Sequence, residues 1–358
     1  MKKRYIFFIG TLCDGGAERV TSILSRQMAE RGMEVEILTY YDRPVFYEIH
    51  PNVKVTSVEK STGTKNKVHN FLWIRNYFKS NAKVIISFLA PFNMMAIAAK
   101  FGTGIKIIVA DRNDPTRVPT NTIIRKLRDF LYMFADGIVL QTEKNQSYFN
   151  GVIQKKSTVI YNPVNMKETA GTALGVTKEK KIVTAGRLMP QKNQKMLIEA
   201  FAEVINTYPE YQLVIYGEGP CRDELQSLIL RMELQEKVIL PGSTANLHEK
   251  IKSAQLFVLS SDYEGMPNAL IEAMCLGLPV ISTKVSGATD LIKDGVNGLL
   301  VDCGNTEQLA AAIKQLLGSP KEMEAYAGEC AKLAERLDVS MITEEWLAYI
   351  RKICKDFN

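Results

Sequence analysis

The residues best suited to chemistry lie in one segment, Ser261-Asp-Tyr-Glu-Gly-Met-Pro-Asn-Ala-Leu-Ile-Glu272. An apolar run typical of a buried strand ends at Ser261, and the pattern predicts a helix that begins near Asn268. The first turn of such a helix offers unpaired N–H groups and a positive dipole end, which suit a diphosphate. We therefore expect the backbone of this turn to bind a phosphorylated ligand, through Gly265, Met266, Pro267, Asn268, Ala269 and Leu270.

Two carboxylates frame this predicted helix start. Glu264 lies before it, and Glu272 lies about one turn inside it. Glu272 can accept hydrogen bonds from a vicinal diol such as that of ribose, and Glu264 can reach the group beyond the phosphates. A second interpretation fits the same residues: an ordinary loop with Asn268 as the helix N-cap and two solvated glutamates. This segment alone does not distinguish between the two interpretations.

A second segment, Gly186-Arg-Leu-Met-Pro-Gln-Lys-Asn193, directly follows another predicted strand. Arg187 can bind phosphate oxygens with its planar fork, and Lys192 can act as a point charge. Two cations that face a leaving diphosphate would stabilise its developing charge, so we expect both to be catalytic, together with Glu264. The alternative is a strand-to-helix loop with two surface cations.

A glycine loop, Gly10-Thr-Leu-Cys-Asp-Gly-Gly-Ala-Glu-Arg19, follows the first predicted strand and leads into the first helix. Gly15 and Gly16 would allow close approach of a ligand to the backbone. The loop is not G-x-G-x-x-G, and a glycine turn that packs helix on strand is an equal alternative. Two later loops are expected to line the base or ribose, through Glu218, Ser243 and Asn246.

The elements that must position these loops follow a pattern of strands alternating with helices, which predicts parallel sheets. One predicted helix spans 17–31, with apolar residues on one face and a glycine stop at 32. Apolar runs predict strands at Tyr5–Ile9, Val35–Thr39, Val84–Phe88, Lys106–Ala110, Gly137–Gln141, Lys181–Ala185, Gln212–Tyr216, Lys237–Leu240, Leu256–Ser261, Pro279–Thr283 and Gly298–Val301.

A break near residue 165, followed by a polar stretch around 167–180, separates the strands into two series. The predicted fold class is therefore α/β, with two doubly wound Rossmann-like domains at 1–165 and 166–340. A last helix at about 341–358 follows the second domain, and its return to the first domain is an open alternative. In each domain the loops at the carboxyl ends of the strands are expected to meet at one sheet edge, where such sheets bind ligands.

Together these segments resemble the retaining glycosyltransferases of family 4, also called glycosyl transferases group 1, which have the GT-B fold of two domains facing across a cleft. The resemblance covers nearly the whole chain and is densest over 181–302. The segments that carry it occur in the family's order: Gly-Gly-Ala-Glu-Arg at 15–19, Gly-Arg-Leu at 186–188 with Lys192-Asn193, Gly-Glu-Gly at 217–219, Glu-Gly-Met-Pro-Asn at 264–268 with Glu272, and the stretches 273–281 and 295–300.

The resemblance implies a metal-independent hexosyltransferase that needs no cofactor and takes a sugar from a nucleotide-sugar substrate, with a UDP-sugar as the expected donor. By resemblance, Glu272 holds the donor ribose, Glu264 touches the donor sugar, and the two cations hold the diphosphate. Gly16 would contact the donor from the first domain. Many family members carry a histidine near the sugar; here the candidates for that acceptor-side region are Asp111, Arg112 and Asn113, which follow a predicted strand.

The charge of the chain is divided unevenly. Residues 1–164 carry 24 Lys+Arg and 13 Asp+Glu, a net +11, whereas residues 165–358 carry a net −5. A basic first half predicts an anionic partner, and nucleic acid, a membrane surface and a phosphorylated acceptor all have that charge. Nucleic acid is not expected, because no helix-turn-helix or aromatic stacking signature accompanies the charge.

Basic residues accompany large apolar ones at Lys65–Lys79 and Thr116–Phe134. These stretches are either core-packed helices with solvated basic faces or contacts to an anionic membrane or a lipid-linked saccharide acceptor.

No apolar run approaches the ~20 residues of a membrane span, and the N-terminus lacks a signal-peptide pattern. Six scattered cysteines argue against a disulfide framework or zinc site. We expect a cytoplasmic enzyme of glycan assembly, with peripheral attachment to the inner membrane face as an open alternative. The alternative activities are those of a sugar-nucleotide epimerase or a phosphorylase-like enzyme on the same fold.

Overall fold

The computed structural model describes residues 4–13, 15–164, 176–244 and 246–355, and the chain divides into two compact units. The first unit comprises Met1–Pro163 together with Val339–Asn358, and the second comprises Val164–Asp338. Each unit is built on one parallel sheet whose strands alternate with helices along the chain. The predicted pair of doubly wound α/β domains is confirmed.

The first unit has a seven-stranded sheet in the order β3-β2-β1-β4-β5-β6-β7. Neighbouring strands run parallel, so that Phe7 on β1 lies opposite Ile37 on β2 and Ile86 on β4. The strand order reverses between β1 and β4, and such a reversal opens a crevice at the carboxyl ends of the two strands. The strands are β1 (Arg4–Ile9), β2 (Val35–Thr39), β3 (Lys54–Ser57), β4 (Ala82–Phe88), β5 (Lys106–Ala110), β6 (Gly137–Leu140) and β7 (Ser157–Val159).

The core of the first unit lies on both faces of this sheet, because its inner strands are apolar on both sides. Phe7 and Ile9 belong to one buried cluster, whereas Ile6 and Phe8 belong to another, as the alternation along a strand requires. Between the strands lie α1 (Gly16–Glu30), α2 (Val58–Thr62), α3 (Lys67–Asn81), α4 (Ala90–Lys100), α5 (Thr122–Tyr132), α6 (Glu143–Tyr148) and α7 (Gly151–Lys155).

The second unit has a six-stranded sheet in the order β10-β9-β8-β11-β12-β13. Val183 on β8 lies opposite Val214 on β9 and Phe257 on β11, again with parallel strands. Here the order reverses between β8 and β11. The strands are β8 (Glu179–Ala185), β9 (Gln212–Tyr216), β10 (Val238–Gly242), β11 (Ala254–Leu259), β12 (Val280–Thr283) and β13 (Leu299–Val301).

Helices of the second unit cover its sheet and share a large buried cluster with the strands. A short 3-10 turn, Pro190–Lys192, precedes the first of them. They are α8 (Gln194–Ile205), α9 (Arg222–Arg231), α10 (Leu247–Ile251), α11 (Asn268–Cys275), α12 (Ser286–Leu291), α13 (Thr306–Leu317), α14 (Pro320–Ala331) and α15 (Leu333–Arg336).

The last helix, α16 (Val339–Lys355), packs on the sheet of the first unit. Trp346 is 1% exposed, and its ring centroid lies 6.1 Å from that of Phe88 at the end of β4. The hydroxyl of Tyr349 accepts a hydrogen bond from the backbone N–H of Ile138 on β6 at 2.9 Å. The final helix therefore completes the core begun by the first strands.

All eleven predicted strands are present, with ends shifted by up to a few residues. The sequence misses β3 and β7, which lie at the two edges of the first sheet. Neither edge strand contains a fully buried residue, so neither produces the continuous apolar run by which inner strands are identified. Part of the predicted polar stretch, residues 167–175, lies outside the described residues.

Two arginines in the predicted basic stretches have hydrogen-bond partners within the first unit. Arg75 on α3 donates to the backbone carbonyls of Ala99 and Phe101. Arg128 on α5 is fully buried and donates to the carbonyl of Pro115 and the carboxylate of Asp129. Both guanidiniums make hydrogen bonds within the unit, which the sequence pattern does not reveal.

The outward face of α5 exposes several large apolar residues besides Lys126. Ile123 is 78% exposed, Leu127 50% and Phe130 53%. The ring of Phe130 lies 5.3 Å from that of Phe134, which in turn lies 5.4 Å from that of Phe101. The predicted stretch Thr116–Phe134 contains all of these residues except Phe101. Together these five residues form a continuous exposed surface, which we call the α5 apolar face.

Candidate functional site

Two loops of the second unit leave the neighbouring strands between which the sheet order reverses. Residues 186–193 follow β8, and residues 260–267 follow β11. Because ligands of open α/β sheets bind at such a reversal, outside the carboxyl ends of the strands, this edge is the candidate site. The structure thus brings the two predicted phosphate-binding segments together.

An ion pair joins the two loops. Lys192 Nζ lies 2.5 Å from Glu264 Oε1, and the hydroxyl of Ser261 donates to the same carboxylate oxygen at 2.7 Å. Glu264 is only 7% exposed. A charged, hydrogen-bonded pair with one partner buried is held in a fixed geometry. Two of the three predicted catalytic residues are therefore in direct contact.

Further hydrogen bonds hold the same two loops in register. The side-chain amide of Gln191 donates to the backbone carbonyl of Tyr263 at 2.8 Å. The backbone carbonyl of Gln191 accepts a hydrogen bond from the N–H of Asp262 at 2.9 Å. The side chain of Asn193 donates to the Asp262 carboxylate at 2.9 Å. Sequence reasoning misses Gln191, which directly precedes Lys192, whereas Asn193 belongs to the Lys192-Asn193 segment that carries the resemblance.

A third loop, after β9, packs directly on the first through two glycines. A Cβ atom on Gly217 would lie 2.0 Å from the carbonyl oxygen of Gly186, and one on Gly219 would lie 2.4 Å from that of Leu188. Gly217 also has a φ of +144°, which side chains disfavour. The Gly-Glu-Gly segment is therefore explained by this close approach of two backbones.

The helix after the second loop begins as the sequence predicts, at Asn268. Pro267 is at the N-cap, and no side chain caps the helix. The alternative in which Asn268 is the N-cap is wrong, because Asn268 is already helical. Gly265, Met266 and Pro267 are buried beneath this turn, while Asn268 and Ala269 are half-buried.

Leu270 departs from its predicted role. Its side chain is fully buried, and its backbone N–H donates to the carbonyl of Pro267 at 3.1 Å. Leu270 consequently anchors α11 in the core and presents no free group to a ligand. The turn is further fixed by Gly287 on α12, where a Cβ would lie 2.5 Å from the carbonyl oxygen of Gly265.

Glu272 lies one turn into α11 and is 3% exposed. Its carboxylate lies 3.1 Å from Nε2 of His248, a residue of α10 that is also buried. Since Glu264 and Glu272 are both buried, the alternative of two solvated glutamates is wrong. His248 is not among the predicted site residues, and its position two residues after Asn246 was the available signal.

The remaining predicted residues of the second unit lie at its surface. Arg187 is exposed on the first loop, and Ser243 and Asn246 are exposed after β10. Glu218 is exposed too, and its carboxylate lies 2.8 Å from the guanidinium of Arg222 on α9. None of these four side chains joins the Lys192–Glu264 pair among the contacts of the described residues.

In the first unit, the predicted glycines lie at the reversal between β1 and β4. Gly15 is the N-cap of α1, which has no side-chain cap, and Gly16 is its first residue. The hydroxyl of Tyr47 donates to the carbonyl of Gly15 at 3.0 Å. The glycine loop therefore occupies the same position on the first sheet as the 186–193 loop does on the second.

The three predicted acceptor-side residues follow β5 at the same sheet edge, and two of them have internal partners. Asp111 accepts a hydrogen bond from the hydroxyl of Tyr132 at 3.2 Å. Burial raises the pKa of Asp111, while the neighbouring Arg128 guanidinium opposes that rise. The carbonyl of Asn113 accepts from the side-chain amide of Asn145 at 3.2 Å.

Arg112 differs from its two neighbours. It is 7% exposed, and its guanidinium carbon lies 5.3 Å from the ring centroid of Phe88. Burial lowers the pKa of Arg112 to about 9. The group therefore remains a cation at neutral pH.

Other chemistries find little support in the residues that the structure describes. Within them, no cluster of three or more His, Cys, Asp or Glu side chains is placed to hold a metal ion. Burial raises the pKa of Cys275 and Cys330 to about 12, so neither thiol is a ready nucleophile. No described helix is long and apolar enough to cross a bilayer.

Comparison with known proteins decides the family. The model of the "Glycosyltransferase Family 4" domain matches residues 14–168, and that of "Glycosyl transferases group 1" matches residues 167–333. A Campylobacter jejuni protein, "N-acetylgalactosamine-N,N'-diacetylbacillosaminyl-diphospho-undecaprenol 4-alpha-N-acetylgalactosaminyltransferase", is 30% identical over 365 residues, with 96% of this chain and 98% of the relative covered. This chain belongs to glycosyltransferase family 4. The resemblance noted in the sequence is confirmed, and the protein is a glycosyltransferase of the hexosyltransferase type.

Two further proteins extend the comparison. A second C. jejuni enzyme, "GalNAc-alpha-(1->4)-GalNAc-alpha-(1->3)-diNAcBac-PP-undecaprenol alpha-1,4-N-acetyl-D-galactosaminyltransferase", is 29% identical over 356 residues, with 97% of this chain and 98% of the relative covered. The crystal structure of Anabaena HepE in complex with UDP and glucose matches with a TM-score of 0.82 at 20% identity, covering 97% of this chain and 99% of HepE. The fold is GT-B, as the sequence predicts.

Proposed function

We propose that this protein transfers a hexose-type sugar from a UDP-sugar to a saccharide that is linked to a lipid diphosphate, with retention of the anomeric configuration. The names of both C. jejuni relatives specify a saccharide on an undecaprenyl diphosphate as acceptor. The HepE structure contains UDP. These names support the substrate classes, and the site supports the reaction.

The observation that carries the proposal is the Lys192–Glu264 pair at the reversal point of the second sheet. A leaving nucleoside diphosphate gains charge as its bond to the sugar breaks. Lys192, the exposed Arg187 and the start of α11 would stabilise that charge without having to reorganise. Glu264, held by Lys192 and Ser261, would contact the donor sugar beyond the phosphates.

In this reaction the bond between the sugar C1 and the phosphate oxygen breaks, and a bond between C1 and an acceptor hydroxyl oxygen forms on the same face. The acceptor hydroxyl proton passes to the departing phosphate oxygen. No second carboxylate is needed to take that proton, in keeping with a site that offers cations and one buried, paired glutamate. Glu272, supported by His248, would accept hydrogen bonds from the ribose hydroxyls.

A lipid-linked acceptor requires the enzyme to reach a membrane surface, and we place that contact on the α5 apolar face. This face is exposed, and it lies in the unit that carries a net +11 over residues 1–164. The same unit exposes Lys65, Lys67 and Lys79 on and before α3. Apolar side chains that enter the lipid and cations that attract anionic headgroups together give reversible binding. The protein would then act as a peripheral enzyme of the inner membrane face.

The membrane contact is tested by replacing Leu127 and Phe130 together with Gln. Each exposed apolar side chain gains about 1.5–3 kcal/mol on full burial, so the double variant should be released from phosphatidylglycerol vesicles in a flotation assay. The matched control is Leu230→Gln, which removes an equally exposed leucine from the second unit and should not alter binding. A wild-type protein that does not float with these vesicles at low salt would refute the membrane contact.

The catalytic proposal is tested in two stages. Nucleotide-sugars are first screened for protection against thermal unfolding, because a ligand that binds only the folded state raises apparent stability. The protecting donor is then incubated with a saccharide on a polyprenyl diphosphate, and the product is examined for transfer and for its anomeric configuration. Interconversion of the donor sugar without acceptor would instead identify an epimerase, and an inverted product would reject the retaining mechanism.

A further inference from the structure

The first unit contains a buried guanidinium that makes no hydrogen bond to any described residue. All three nitrogens of Arg112, which carry five N–H donors, lack an acceptor there. Buried charges in proteins are normally paired and hydrogen-bonded, because an unpaired one loses its hydration without compensation. An arginine in this state marks a position where a partner is missing.

The neighbouring carboxylate of Asp111 attracts the Arg112 guanidinium but accepts no hydrogen bond from it. Asp111 accepts from Tyr132 and lies 3.8 Å from Arg128, both on α5, so its charge is engaged on that side of the chain. Arg112 instead contacts the ring of Phe88, whose cluster lies on the opposite face of the sheet from that of Tyr132. The two adjacent side chains therefore point to opposite faces.

The position of Arg112 is that of a ligand site. Phe88 ends β4, and β4 and β1 are the strands between which the order of the first sheet reverses. The residue after Phe88, Leu89, has a φ of +71°, a conformation that is uncommon for a leucine and recurs at binding sites. The guanidinium thus leans from the end of β5 toward the crevice at this reversal point.

A second donor in the same aromatic stack also lacks a partner. Trp346 packs against Phe88, and its indole N–H finds no acceptor among the described residues. Arg112 and Trp346 can only donate hydrogen bonds. A ligand that satisfies both must therefore be rich in acceptors, and one that also neutralises the guanidinium must be an anion.

We propose that Arg112 is the anchor of an oxyanion site of the phosphate class at the carboxyl edge of the first sheet. The fork of the guanidinium would bind two oxygens of one phosphate group, and the Trp346 N–H would add a third hydrogen bond. The site stands on the first unit alone. That its oxyanion comes from a lipid diphosphate rather than from a nucleotide rests on the proposed function.

The test uses the full chain carrying Arg187→Ala and Lys192→Ala, so that the second unit does not contribute a phosphate site. Inorganic pyrophosphate is titrated while thermal unfolding is followed. The Tm of this parent should rise with pyrophosphate concentration, and Arg112→Met should abolish the rise. Arg112→Lys should keep only part of it, because an ammonium lacks the fork. Arg117→Met, which removes an exposed cation from the same loop, should respond as the parent does.

A structural role predicts the opposite behaviour without ligand. If Arg112 only stabilises the fold, Arg112→Met should lower the Tm in the absence of pyrophosphate, and that result would overturn the proposal. We expect an unchanged or higher Tm, because the variant removes a buried unpaired charge. A pyrophosphate response that survives Arg112→Met would overturn it equally.

The source of the oxyanion is read from two further titrations of Arg112→Met in the otherwise wild-type chain. A tenfold or greater loss of affinity for farnesyl diphosphate with unchanged UDP affinity assigns the site to a lipid diphosphate, and the reverse assigns it to the nucleotide. If the wild type transfers sugar but the pyrophosphate response does not depend on Arg112, only this inference is refuted. If the pyrophosphate response depends on Arg112 but the protein transfers no sugar, only the proposed function is refuted.

Discussion

The two units place a cation near the same topological position and treat it differently. At the reversal point of the second sheet, Lys192 is paired with Glu264, and the surrounding loops are cross-linked by hydrogen bonds. Near the reversal point of the first sheet, Arg112 is buried and makes no hydrogen bond to a described residue. The second site therefore holds its cation in a hydrogen-bonded ion pair before any ligand arrives, whereas the first leaves the guanidinium nitrogens of Arg112 without an acceptor among the described residues.

The contrast is sharpened within the first unit itself. Arg128 and Arg112 are both buried, yet Arg128 donates to a carboxylate and to backbone carbonyls and contacts the ring of Phe149 at 5.2 Å. A buried arginine can therefore have a structural role or belong to a ligand site. The number of satisfied donors distinguishes the two cases.

The largest effect is expected from replacing Arg128, the buried arginine with a structural role. Arg128→Met leaves Asp111 buried without its cation, and loss of one partner of a buried ion pair costs about 3–5 kcal/mol. Urea denaturation should show a decrease of that size in the free energy of unfolding. Arg117→Met is the control and should change it by less than about 0.5 kcal/mol. A loss below about 1 kcal/mol would show that the Arg128 network is not structural.

The next effect concerns the paired cation of the second unit. Lys192→Ala should lower kcat by about 10²-fold or more, because it removes a preorganised charge from the leaving diphosphate. Arg187→Ala should show a loss of the same order. Steady-state assays at saturating donor measure both. Lys195→Ala, an exposed lysine on α8, should leave kcat unchanged. Wild-type turnover in Lys192→Ala would contradict the catalytic assignment.

A smaller effect is expected at the ribose position. Glu272→Ala should weaken UDP binding about tenfold, or about 1.4 kcal/mol, because the ribose hydroxyls lose a charged acceptor. Isothermal titration calorimetry with UDP measures this directly. Glu249→Ala removes an exposed carboxylate from the neighbouring α10 and should have no effect. An unchanged affinity for UDP in Glu272→Ala would remove Glu272 from this role.

The smallest effect probes the link between the loops of the second site. Asn193 has a φ of +45°, caps α8 by accepting from the N–H of Met196, and binds Asp262. Asn193→Ala should destabilise the fold by about 1 kcal/mol through the lost cap. Asn193→Gly, which tolerates the backbone conformation, should cost less. Chemical denaturation that ranks the two variants in the opposite order would contradict the backbone argument.

The sequence predicts the inner strands and the helix starts because these depend on local patterns. The apolar run that ends at Ser261 and the glycine and proline that follow suffice to locate α11. The contact between Lys192 and Glu264 is different, since these residues are 72 positions apart. Their two loops could be expected at one edge, but the adjacency of β8 and β11 depends on the strand order of the folded sheet.

The side chains of α5 show a further limit. Arg125, Lys126 and Arg128 occur within four residues, and nothing in their spacing marks Arg128 as the buried one. Its burial depends on Asp111 and Tyr148, which come from other elements and complete its environment. In the same way, the missing partner of Arg112 becomes visible only once every neighbour has been placed.

The return of α16 to the first sheet has a consequence for how the chain is made. Phe88 and its neighbours remain uncovered by Trp346 until residues 339–355 have been synthesised. The second unit, by contrast, is contiguous along the chain. On the ribosome, the second unit can therefore finish folding first, while the earlier-made strands keep an open apolar surface that only the last-made helix closes.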